Sequence, residues 1–65
     1  MNGPIRFSGY GVGTRTVTIM HSAITHWYPI DYNGNLGTTI VLSNGDEITV
    51  GQKDWEVTKM MEEKA

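Results

Sequence analysis

The chain has 65 residues, no cysteine, and a formal net charge of −2 from five Lys/Arg and seven Asp/Glu, so it describes one small domain. A domain of this size buries only ~60% of its unfolded surface and is usually supported by disulfides, a metal or self-association. Disulfides are excluded and two histidines make a poor metal set, which leaves a homo-oligomer, while the acidic balance disfavours a nucleic-acid backbone as partner.

No apolar run approaches the ~20 residues of a membrane span, and the opening Met-Asn-Gly-Pro lacks the charged and apolar regions of a signal peptide, so a soluble cytoplasmic protein is expected. Ile5-Arg6-Phe7-Ser8 alternates apolar with polar and predicts a short edge strand or arm. The following Gly9-Tyr10-Gly11-Val12-Gly13-Thr14-Arg15 is the one stretch whose composition suggests a ligand. Its glycines free backbone N–H groups to approach an anion, and Arg6, Gly11, Gly13, Thr14 and Arg15 form the candidate nucleotide-like site. It matches neither GxGxxG nor a P-loop, and no helix pattern follows it, so a turn or glycine-kinked strand is the competing reading.

Thr16–Met20 alternates again, with Val17 and Ile19 on one face, and predicts a strand. Beyond it the apolar phase changes from odd positions to the even positions of Ile24, Tyr28 and Ile30. A turn, a short 3₁₀ piece or a bulge around His21-Ser22-Ala23 must absorb the shift. Ile24–Ile30 reads as a strand whose end lies at a sheet edge because Pro29 cannot donate to a ladder, and Asp31–Gly37 reads as a projecting loop.

Thr38–Val50 predicts a hairpin around Asn44-Gly45, since both residues accept positive φ. A two-residue turn pairs Leu42 with Glu47 and Ile40 with Thr49. A three-residue loop with Gly45 in a G1 bulge pairs Leu42 with Asp46, Ile40 with Ile48 and Thr38 with Val50. The second is preferred, because it gathers Ile40, Leu42, Ile48 and Val50 on one face and a short chain cannot bury two.

After Gly51, Asp54 is expected to N-cap a helix over residues 54–64, with Glu56 at its positive end and Val57, Met60 and Met61 as its apolar stripe. Trp55 lies nearly opposite that stripe, either folded back as a lid or held for a partner. With Trp27, Tyr28 and Tyr32 it makes up the candidate partner or oligomer interface. The fold class is β-rich α+β: a small antiparallel sheet of four to five short strands and one C-terminal helix.

Thr38–Gly45, Ile48, Val50 and Glu56-Val57, within residues 24–61, resemble the short flagellar proteins of the FlbD/SwrD type. The resemblance implies a β-β-α order, no enzymatic activity and a place in a larger bacterial assembly.

Chemistry is sparse. His21 and His26, read on one strand, fall on opposite faces without a carboxylate pair to complete a metal site. Ser22 beside His21 lacks the geometry and the acid of a triad. Asp31, Asp46 and Glu47 are conceivable paired carboxylates, but Asp46 and Glu47 flank a turn and their charge is better explained by solvent. The expected protein is non-enzymatic, without metal or cofactor. It binds or sequesters a protein partner or a small anionic ligand in the manner of phage-type inhibitors, with a structural accessory role and single-strand nucleic-acid stacking as alternatives.

Overall fold

The computed structural model describes residues 3–11 and 16–64. In chain order these form β1 (Pro4–Ser8), β2 (Thr16–Met20), a 3₁₀ turn (His21–Ala23), β3 (Ile24–Tyr32), β4 (Asn35–Leu42), β5 (Glu47–Val50) and α1 (Asp54–Lys64). All strand pairs are antiparallel. β1 and β2 make a two-stranded sheet, and β3, β4 and β5 make a three-stranded one in that order. The β-rich α+β class read from composition and periodicity is the class observed.

The core lies between the two sheets and under the helix. Alternation in β1 and β2 sends Ile5, Phe7 and Ile19 inward, where they meet Ile40 and Val50 of the larger sheet and Val57 and Met61 of α1. Each element alone exposes an apolar face, and an 11-residue helix is marginal in water without such docking.

The β4–β5 hairpin adopts the three-residue register. Thr38 pairs with Val50 and Ile40 with Ile48, the Leu42 N–H donates to the Asp46 carbonyl at 2.8 Å, and the Gly45 N–H donates to the Leu42 carbonyl at 2.9 Å. Gly45 sits at φ 94°, and the Asp46 N–H that the bulge frees donates to Asn44 Oδ1 at 2.9 Å.

Several expectations need correction. Asp31–Gly37 is not a projecting loop: β3 runs on to Tyr32, β4 starts at Asn35, and Asn33 (φ 54°) with Gly34 (φ 83°) closes a tight two-residue turn of the I′ kind. Here both residues of the Asn-Gly pair take positive φ, whereas at the second hairpin Gly45 alone does, and the Gly34 N–H is further held by Asp31 Oδ1 at 3.0 Å. The phase change is absorbed twice, by the 3₁₀ turn and by a bulge between Ile24 and His26. The bulge divides the apolar residues of β3: Ile24 and Trp27 pack on the core, and Tyr28 and Ile30 turn to the other face.

His21 lies in the 3₁₀ turn rather than on a strand with His26. Its Nε2 is 3.1 Å from the Met61 carbonyl, which only accepts, so Nε2 carries the proton. That carbonyl is one of the last four of α1, which have no partner inside the helix. At the other end the N-cap position is Lys53, not Asp54. The Val57 N–H donates to the Lys53 carbonyl at 2.9 Å, and Glu56 Oε1 accepts from the Lys53 N–H at 2.7 Å, one half of a capping box. Asp54 is thereby the first residue inside the helix.

Replacing Gly45 by Val places a β-branched side chain at positive φ, where the strain is ~1–2 kcal/mol. The melting temperature should fall by roughly 4–8 °C for each kcal/mol in a domain this small. An unchanged thermal midpoint would contradict the bulged turn.

Candidate functional site

The two sheets meet at a narrow joint, and the candidate site is built on it. The Gly51 N–H donates to the Ser8 carbonyl at 2.7 Å, and Gly9 bridges Val50. The ladder ends there and the Gln52 side chain continues it, with Oε1 accepting from the Ser8 N–H at 3.0 Å and Nε2 3.3 Å from Ser8 Oγ. The Gln52 backbone carbonyl also accepts from the buried Thr38 hydroxyl at 2.7 Å, so one residue ties β1 to β4.

Such closeness requires residues without side chains. A Cβ on Gly37 would lie 2.8 Å from the Val50 carbonyl oxygen and 2.6 Å from Tyr10 Cδ1, and one on Gly51 would lie 2.8 Å from the Gly9 carbonyl oxygen. Tyr10 therefore lies across the backbone at Gly37, and its hydroxyl donates to the Asn35 carbonyl at 2.7 Å.

Laid in this way, Tyr10 separates two adjoining hollows. On one side is a space of about 510 Å³ walled by the backbone of Gly9, Gly11, Gly34 and Gly51, with Asn35, Leu36 and Lys53 around it. On the other is a more apolar cleft of about 520 Å³ between Tyr10, Ile30, Asp31, Tyr32 and Thr49. Both fall in the size range of small-molecule sites. The hollows differ in chemistry, glycine backbone with an ammonium on one side and two tyrosines with the Asp31 carboxylate on the other. Tyr32 is 70% exposed, and Tyr28 follows on the same face of β3 at 43%.

Of the candidate ligand residues, Gly11 lines the glycine hollow, whereas Gly13, Thr14 and Arg15 lie outside the described residues. Arg6 is not beside Gly11. It points outward from β1 into a separate hollow of about 370 Å³ shared with Thr18, Met60 and Glu63. Among the described residues the cation that lines the glycine hollow is Lys53, which is distant in the chain and becomes adjacent only through the β1–β5 joint. Tyr10 has no role in the sequence-based candidate set, since its contact with Gly37 joins residues far apart in the chain. The repeated pairing of an isolated glycine with a strand end, at Gly37 and Gly51, was the available signal for a close crossing.

The candidate interface residues do not form one patch. Trp27 is half-buried against the core and its Nε1 donates to Thr58 Oγ1 at 3.1 Å, while Tyr28 and Tyr32 occupy the opposite face of β3. Trp55 stands 63% exposed on α1 and is not folded back as a lid. Thr25 Oγ1 donates to the Val41 carbonyl at 3.0 Å, so its 3.1 Å contact with His26 Nδ1 needs the proton on that nitrogen. Among the described residues no three His, Asp or Glu side chains converge as a metal site, and no helix is long and apolar enough to cross a membrane.

The joint predicts that Gly37→Ala costs ~1–3 kcal/mol, because the added methyl meets backbone as well as Tyr10 and so cannot be relieved by a rotamer change alone. Chemical denaturation measures this, and a midpoint equal to the parent's would show that Tyr10 does not lie on the strand. No protein-family model, no curated protein and no solved structure matches this chain.

Proposed function

We propose that the protein is a non-enzymatic binding protein for a small anionic ligand that also carries a flat ring, a mononucleotide or a relative of one. The observation that supports this is the pair of adjoining hollows divided by Tyr10, since a molecule spanning them meets tyrosine faces at one end and glycine backbone with Lys53 at the other. Gly34 and Gly51 already commit their N–H groups to Asp31 and Ser8, so charge recognition falls to Lys53 and to the backbone of Gly9–Gly11. An ammonium in a partly enclosed polar hollow contributes a charge-assisted hydrogen bond, and an aromatic face stacks on any base.

In this reading the protein acts by sequestering its ligand in the cytoplasm, as compact phage-type inhibitors do. A protein partner is the second reading. It is favoured by the exposed Trp55, which lines neither hollow, and it would accommodate the accessory role implied by the flagellar resemblance.

Thermal-shift screening of mono-, di- and cyclic nucleotides, followed by calorimetry, tests the proposal. Lys53→Ala should weaken binding by ~1.5–3 kcal/mol, and Tyr32→Ala, at an exposed position, by ~1–3 kcal/mol. Affinity should fall with added salt for the parent and less so for Lys53→Ala. If no nucleotide raises the melting temperature, or both variants bind as the parent does, the ligand reading fails.

A further inference from the structure

The described strands leave two long sheet edges free, the outer edge of β3 and the outer edge of β2, and the sequence treats them differently. Along β3 the tight turn makes Tyr32 and Asn35 a hydrogen-bonded pair. Residues at even positions therefore face β4, and those at odd positions turn their N–H and C=O to the free side. Pro29 is one of the odd positions. It lacks an N–H in the middle of that border, which blocks strand addition there.

Along β2 the direction is fixed by the His21 N–H, which donates to the Gly3 carbonyl at 2.9 Å in register with the Pro4–Met20 pair. By alternation Ile19 and Val17 bond to β1, and Thr16 and Thr18 present their N–H and C=O outward, while Met20 presents its N–H and, as N-cap of the 3₁₀ turn, has its C=O engaged by that turn. The same parity sends the Ser8 carbonyl toward β5, where it accepts from Gly51. The outer border of β2 thus carries donors at three successive outward positions and acceptors at Thr16 and Thr18, with no proline, charge or bulge among Thr16–Met20. Among the described residues no strand lies against it.

We propose that a second copy of this chain pairs with this edge, the two β2 strands running antiparallel about a two-fold axis at Thr18. The pattern is self-complementary. Thr18 meets Thr18 and exchanges both bonds, and on either side of the axis the Met20 N–H of one copy donates to the Thr16 carbonyl of the other, four bonds in all. The pairing makes one four-stranded sheet, β1-β2-β2-β1. It sets the half-buried Val17 of one copy beside Ile19 of the other on the inner face and Thr16 beside the exposed Met20 on the outer face. A foreign extended peptide would satisfy the backbone equally, but only a second copy reproduces the same alternation and the same Thr/Val/Ile faces from the strand itself. This interface is separate from the two hollows divided by Tyr10 and stands whether or not they bind a ligand.

Light scattering and sedimentation of the full chain across the micromolar range test it. The parent should reach the mass of a dimer. Thr18→Pro removes an N–H that β1 does not use, repeating on β2 the protection Pro29 gives β3, and should yield a folded monomer by circular dichroism. Thr18→Lys, which keeps the backbone and adds like charges at the axis, should raise the dissociation constant about tenfold or more and decides the matter if the proline variant does not fold. A parent that stays monomeric at high micromolar concentration overturns the proposal. So does a Thr18→Lys variant that dimerises as the parent does.

Discussion

Everything in this fold depends on how closely two strands can cross. The sheets share one bridge, Gly9 to Val50, with one backbone bond beyond it, and the distance there is set by the absence of side chains on Gly51 and Gly37. If that joint is held apart, Phe7 and Ile5 lose Val50 and Ile40 as neighbours, Tyr10 loses its seat on the strand, and α1 loses the closed surface on which Val57 and Met61 lie. Gln52 then extends the joint by side chain where the backbone ladder has ended, which lets β1 diverge from β5 and leaves room for the helix beside it.

Much of the architecture was legible because it is local. Period-two alternation located β1 and β2, and the burial argument selected the bulged register at Gly45 over the two-residue turn. The helix bounds followed from the Val57–Met60–Met61 stripe. The errors have identifiable causes. Pro29 and the following turn formers outweighed the Asn33-Gly34 signal, although a proline is harmless where its nitrogen faces away from the neighbouring strand. Asp54 has the side chain that N-cap preference favours, but the bond from the Lys53 N–H to Glu56 sets the cap one residue earlier.

The candidate site was less legible, for a different reason. Its glycine wall was visible in sequence, but its cation and its aromatic divider depend on contacts between residues far apart in the chain. Arg6 was linked to the glycines by proximity in sequence, and strand alternation carries it to another surface. The bulge at Thr25 has a similar effect on β3. By dividing its apolar residues it gives Trp27 to the core and leaves Tyr28, Ile30 and Tyr32 as an aromatic outer face that no periodicity count would separate.

The glycine hollow draws its walls from three stretches, the turn after β1, the β3–β4 turn and the start of α1. They are neighbours only when the two sheets are docked, so occupancy of the hollow and closure of the fold are a single linked equilibrium. A molecule held there at a hundredfold excess over its Kd adds ~2.7 kcal/mol to the folded state. In a domain whose whole stability is expected to be on the order of 5 kcal/mol, that is a large share. Through this coupling any molecule that occupied the hollow would set how much of the protein is folded.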